Sequence, residues 1–487
     1  MFKKTCSWIL LLLAVMISDA AAQYSQSLYF MNLPQRSSLN PALRPTNRLY
    51  IGLPALSGVT VNLDNNFIDM SDLLINGVIS DSTVSFLEPG EHLDRLVAGL
   101  KDKNSLAMQA AVQLFGLGFS VGDLWVTLDL TERAEGNFVI PGELIRLGIR
   151  GNDAYTGQSV DLSSLRTDAK YYHEIGMGIS KNLTDRLRVG VRGKLLFGVA
   201  AASLDNNDLR LKVNEDNTHT LFADMSFSMS GPLRAVMNPD GTLDSVTIDD
   251  SRFDTRKDFI SLLKNTGNPG FGLDLGMEYR ITDRLSVSGA ITDLGFIRWR
   301  TDRTTLYTKT QFEFNGLTMQ DVYDESLDFD ELINWALDSL QNSFYQKAGS
   351  DPFVTHLSPG FTAAASYSPV KAFTFGVLSH TRFIGKQVRE SVTLSANMNL
   401  GSALSATCSY TAVNHRYDNL GAGIAIRGGW MQLYALVDNI PIRWTKVSIG
   451  NDSFPVPEDW NTLHARVGIN ILFGNKVKNK STDLDPD

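Results

Sequence analysis

Stretches of about ten residues in which apolar and polar side chains alternate recur from Leu49 to the C-terminus, and beyond the first residues no run is apolar for long enough to cross a bilayer as a helix. Alternation gives a strand one apolar and one polar face, because successive side chains point to opposite sides. The last stretch is the clearest. Leu463, Ala465, Val467, Ile469, Ile471 and Phe473 fall on one face, and His464, Arg466, Gly468 and Asn470 on the other. A soluble half-buried strand shows this pattern once. Its repetition along the chain, with no interleaved rhythm of long helices, selects an all-β fold: a transmembrane antiparallel β-barrel of the outer-membrane kind.

Two hairpins share nearly the same turn, Asn182-Leu183-Thr184-Asp185-Arg186-Leu187 and Arg280-Ile281-Thr282-Asp283-Arg284-Leu285. Before the second turn Phe271, Leu273, Leu275, Met277 and Tyr279 share one face and Gly272, Asp274, Gly276 and Glu278 the other. After the first, Leu187, Val189, Val191, Leu195 and Phe197 alternate with Arg186, Arg188, Arg192 and Lys194. Charges are costly toward lipid, so the polar faces are expected to line a lumen. The expected lumen-facing charges are Arg188, Arg192, Lys194, Arg298, Arg300, Arg427 and Arg466 against Glu174, Asp274 and Glu278. Two readings of this set stand side by side: a charged constriction that selects solutes, or a network of opposite charges that fills a narrow barrel. Glu174 and Arg192 are expected to pair across the Thr184-Asp185 hairpin.

With the C-terminus in the periplasm, tight turns near 122, 184–185, 282–283, 368–369, 401 and 428–429 fall on the periplasmic side. The long segments 62–104, 132–168, 230–267, 301–355 and 440–460 then fall outside the cell, as in outer-membrane barrels. The strand count is about 16, or about 14 if 208–214 and 218–227 form a hairpin above the membrane; both counts are even. Residues 329–344 carry an apolar stripe expected to form a small helix in an outer loop. The acidic run from Asp321 to Glu331 lacks the glycine and ligand spacing of a calcium loop and reads as a solvated loop. Tyr171, Tyr172, Tyr279, Trp299, Phe373, Trp430 and Trp444 sit at strand ends, where aromatic girdles form.

Residues 1–22 read as a secretory signal peptide: Lys3 and Lys4, an apolar run over 8–17, then Ala20-Ala21-Ala22 ahead of Gln23. Cleavage after Ala22 leaves Cys408 as the one cysteine, which excludes an intramolecular disulfide or a cysteine-based metal site. A net charge of -9 without a Lys/Arg-dense run argues against a nucleic-acid partner. The scattered histidines, His173, His356, His380 and His464 among them, form no metalloprotease, nucleophile-elbow or phosphate-loop motif, so no catalytic residue, metal or cofactor is expected. The polar residues 475–487 read as a tail.

Leu39-Asn40-Pro41-Ala42-Leu43, Leu294-Gly295-Phe296-Ile297-Arg298-Trp299, Asp438-Asn439 and the closing Arg466-Val467-Gly468-Ile469-Asn470-Ile471-Leu472-Phe473-Gly474 together resemble a family of outer-membrane barrels from the Bacteroidota, domain of unknown function 5723. The chain is similar, more distantly, to the FadL-type superfamily, which holds fatty-acid transporters and a PorV-type secretion shuttle. That resemblance implies about 14 strands. It also implies that residues 23–48 tuck into the periplasmic mouth as a plug, bent at Asn40 and Pro41, ahead of a barrel spanning 49–474. Proline biases its predecessor toward extended geometry, which fits a fixed bend there. The expected partners are outer-membrane lipid and either an apolar or amphipathic ligand to be transported or presented, or partner proteins of surface secretion or envelope assembly; fold kinship does not choose between them.

Overall fold

The computed structural model describes residues 26–67, 91–150, 153–216, 218–249, 266–315, 343–346, 351–385, 387–401, 403–413, 416–440, 444–449, 452–457 and 462–475. The leader, most of the expected loop helix, the acidic run and the tail from 476 lie outside them. Fourteen antiparallel strands close on themselves. They are β1 (Asn47–Gly52 continuing as Val59–Asn65), β2 (Lys103–Val121), β3 (Leu124–Pro141), β4 (Arg166–Asn182), β5 (Leu187–Val213), β6 (Pro269–Arg280) and β7 (Leu285–Trp299). The circuit continues with β8 (Phe353–His356 continuing as Gly360–Val370), β9 (Phe373–Ile384), β10 (Gln387–Leu400), β11 (Leu404–Val413), β12 (Arg416–Gly428), β13 (Met431–Asp438) and β14 (Thr462–Asn475). Pairing of Leu49 with Phe473 and of Thr60 with Arg466 joins β1 to β14, leaving no open edge in the wall.

The choice between fourteen and sixteen strands is made by β5. At about 3.3 Å per residue its 27 residues run roughly 90 Å, far beyond an apolar band about 25 Å tall. Its first part, Leu187–Phe197, pairs with β6 inside the wall; its last part, from Ala201, pairs instead with Thr218–Ser230, which in turn pairs with Arg303–Asn315. These extra strands stand above the membrane. They share a core of Leu209, Met225, Met229 and Leu306. Two α-helices occur among the described residues, α1 (Glu91–Gly99) and α2 (Gly142–Arg150), both in long outer segments. The segment 132–168 is only partly loop, because β3 continues to Pro141. At the opposite end the connections are tight, with Gly122, Gly401 and Gly429 at φ near +60°, where a Cβ would be strained.

Alternation sorts side chains as lipid and lumen require. On β5 Val191 and Leu195 are exposed outward while Arg188, Arg192 and Lys194 are buried, and on β14 Val467 and Phe473 face out while His464 and Asn470 are buried. Val191→Arg would set a charge against hydrocarbon and is expected to cost roughly 2–4 kcal/mol, read as a loss of the heat-modifiable folded band. Assembly at the wild-type level would mean that the faces are reversed.

Register slips break the alternation at several places in the wall. At Thr292-Asp293 the β6–β7 register slips and Asp293 takes φ +58°, so Thr292 and Asp293 are both buried and every later residue of β7 changes side. Arg298 and Arg300, expected to face the lumen, are therefore exposed on the outer side with Leu294 and Phe296, and Ile297 and Trp299 turn inward. A further slip lies on β5, where Val199 is the extra residue opposite Tyr171 and Tyr172; Tyr172 itself is buried on the inward series it shares with Glu174. Trp299 and Tyr172 thus form an internal cluster with Leu196 and Leu357, not part of a girdle, whereas Tyr279, Phe373, Trp430 and Trp444 are exposed.

Candidate functional site

The lumen is occupied from the short-turn end by residues 26–46. Their apolar side chains Leu28, Met31, Leu33, Leu39 and Leu43 pack against inward Leu378, Ala425 and Leu436. Fully buried Asn40 organises the bend: its amide donates to the Tyr29 hydroxyl at 2.9 Å and to the carbonyls of Met277 and Gly289 at 3.3 Å, and its Oδ1 accepts the Ala42 N–H at 2.9 Å across Pro41. The wall makes room at Gly190, where a Cβ would lie 2.2 Å from the Pro41 carbonyl carbon, and at Gly276, where it would lie 2.1 Å from Asn40 Oδ1. Three polar anchors fix the segment's length. Ser27 hydrogen-bonds Ser409 and Asp438, Gln35 exchanges bonds of 2.6 and 3.2 Å with Asn470, and Arg44 donates to the Ser180 and Asp123 carbonyls at 2.6 and 2.9 Å.

Beside this segment the inward charges of β3 to β7 interlock. Arg192 is directly opposite Gly178 but reaches diagonally to Glu174 at 2.7 Å, and also to Asp129 at 2.6 Å and Asp274 at 3.1 Å. Lys194 bridges Asp274 and Asp293 at 2.7 and 2.5 Å, and Arg133 holds the other oxygen of Glu174 at 2.8 Å. Arg188 pairs with Glu278 at 2.8 Å, nearer the turns. Arg427 lies at the turn end, donating to the Gly429 and Leu472 carbonyls, and Arg466 lines a small cavity with Asp129, Arg133 and Arg192 without an ion pair to any of the described carboxylates. Asp129, Arg133 and Asp293 were not among the residues expected. The first two belong to the inward series Trp125, Thr127, Asp129, Thr131, Arg133 and Glu135, of which Arg133 and Glu135 become legible once β3 is allowed past 132.

Across the barrel, Arg389 on β10 donates to Ser105 of β2 at 2.9 Å and Arg382 on β9 to Gln109 at 3.4 Å, while Ala107 packs on Ile384. These contacts pinch the lumen. On one side of the pinch a vestibule of ≈ 820 Å³ opens at the long-loop end. It mixes apolar Met108, Leu204 and Leu357 with Glu135, Lys170 and Arg382. Outside the membrane Asp161 joins its rim, its carboxyl held below the ordinary range by hydrogen bonds from Ser163. Gln109 also lines a smaller cavity of ≈ 70 Å³ against the internal segment. His173 and His380 are tied to Glu132 and Thr362 at 2.6 and 2.8 Å, and His464 to Asn62 at 3.1 Å; among the described residues no group of His, Cys, Asp and Glu is arranged to hold a metal.

A closed fourteen-strand wall around an internal N-terminal segment, with short turns at one end and long loops at the other, defines a plugged barrel of the outer-membrane class. The chain belongs to the DUF5723 family, a family of unknown function whose model matches residues 41–438. No curated relative matches. Among solved structures it is similar to the toluene transporter TodX of Pseudomonas putida, at 8% identity and a TM-score of 0.39 over 95% of this chain and 97% of that one. A FadL homologue of Pseudomonas aeruginosa gives 8% and 0.39 over 93% and 97%. Likeness at this level does not bear on ligand.

Proposed function

We propose that this chain passes an amphipathic solute across the outer membrane, reached by export under its cleaved leader, and is not an enzyme. The vestibule carries the reading: it opens toward the long loops, is large enough for a small organic ligand, and sets apolar surface beside fixed charges of both signs. The plug beneath it is the element that must move. Ser203→Trp would fill the mouth from a half-buried position on β5. Uptake of labelled dodecanoate by cells carrying this variant is expected to fall toward that of cells lacking the chain. Uptake equal to wild type, with the variant fully assembled, would overturn the vestibule as the route.

The second reading, a scaffold for surface-protein secretion or envelope assembly, is favoured by the outer lobe with its own core and by the two levels at which the lumen is closed. It predicts no uptake defect and a partner protein that co-purifies with the wild-type barrel.

A further inference from the structure

The ≈ 70 Å³ cavity lies between the plug residues Pro34, Gln35, Ser37 and Ser38 and the wall residues Tyr50, Trp125, Arg192 and Arg466. Arg133 also lines it, so three guanidinium groups meet there, against Asp129 as the one lining carboxylate. Arg133 and Arg192 are neutralised by Glu174, Asp129 and Asp274. Arg466 differs: among the described residues no carboxylate lies within ion-pair distance of it, and its Nε is buried without an acceptor. Trp125, 2% exposed on the same cavity, also leaves its indole N–H buried without an acceptor.

Two buried donors without acceptors, one of them on an uncompensated cation, are costly unless something fills the space between them. Water is one filler; the cavity holds several by its volume. An anion is better matched, because the indole N–H offers a donor that an anion can use and a cation cannot, and because the guanidinium presents its donors in a fork that suits a carboxylate or phosphate. We propose that this cavity is a binding site for a small oxyanion, a carboxylate or phosphate group, held by Arg466 and Trp125 with Gln35 of the plug on its other side. An anion so placed touches both wall and plug, so its binding stabilises the plugged form by mass action. The site does not depend on the transport reading, since a scaffold would hold the same anion.

The test uses the full mature chain folded in detergent, titrated with sodium phosphate or sodium acetate at constant ionic strength made up with chloride, and followed by thermal unfolding. A saturable rise in midpoint is expected. Phosphate alone acting would identify a phosphate group, from inorganic phosphate or a lipid headgroup, and dioleoylphosphatidate micelles would separate these sources. Acetate acting would identify a carboxylate. Arg466→Gln is expected to weaken binding at least about tenfold, as for a lost charge-assisted hydrogen bond. Trp125→Phe keeps the ring and removes the donor; it is expected to weaken binding too, and carries the test should Arg466→Gln fail to assemble. No saturable shift in the wild-type chain, or an equal shift in an assembled variant of either kind, would overturn the site and leave the cavity to water.

Discussion

Removing residues 23–45 is expected to leave an assembled barrel whose single-channel conductance in planar bilayers is raised at least severalfold. The wall pairs with itself all the way round without this segment, so closure does not depend on it. What is lost is the material filling the short-turn half: Leu28, Met31, Leu33, Asn40 and Leu43 are all nearly fully buried there. The small cavity against the plug and the outer vestibule share Gln109 as lining, so the partition between them is one side chain thick at that point. Gly190→Val and Gly276→Val test the same idea without deletion, because a side chain at either position collides with Pro41 or Asn40. They should raise conductance in the same direction. Adding Arg382→Ala and Arg389→Ala to the deletion should open the pinch in series and raise it again. Unchanged conductance in every assembled variant would show that the segment does not seal the pore.

The second large effect is expected at Asp274. This carboxylate is fully buried, accepts from Arg192 and Lys194, and takes the N–H of Asp293 at 2.7 Å. Asp274→Ala takes one carboxylate from two buried cations at successive inward positions of β5, leaving Lys194 to Asp293 and Arg192 to Glu174 and Asp129, and is expected to cost about 3 kcal/mol, measured as a drop in urea midpoint in lipid vesicles. Glu278→Ala removes a partner of Arg188 at a wetter position, with the Glu278 side chain 17% exposed, and should cost clearly less. Removing both sides of the pair, as in Asp274→Leu with Lys194→Met, should recover part of the loss, because the Lys194 ammonium no longer faces the space the carboxylate filled. A neutral outcome for Asp274→Ala would mean that water reaches the cluster and that the charges line a wet constriction instead of filling the barrel.

Most of the wall could be read from the chain because a barrel strand states its two environments residue by residue. Val191 beside Arg192, or Val467 beside Arg466, can satisfy lipid and lumen only in one orientation, so period-two alternation carries the fold. The same local rule placed Arg188, Lys194, Asp274 and Glu174 on the inner face. It failed at Thr292-Asp293, since one inserted residue reverses every side chain after it and nothing in the composition marks the insertion. Arg298, Arg300 and Trp299 were therefore assigned to the wrong side, whereas Tyr172, read as part of a girdle, lies on the inward face it shares with Glu174.

Alternation could not count the strands, because polar strands above the membrane and strands within it share a period; the partners taken up by β5 decided on fourteen. Nor could it show the site. Arg382 meeting Gln109, Arg389 meeting Ser105, and Gln35 meeting Asn470 join residues hundreds of positions apart across a closed circuit. By itself the sequence determined the class of element, the facing of most side chains and a bend at Asn40-Pro41. Whether that bent segment lies inside the wall, which cations find partners and where space remains were decided only by barrel closure, which brings opposite strands together by curvature and shear that no local pattern encodes.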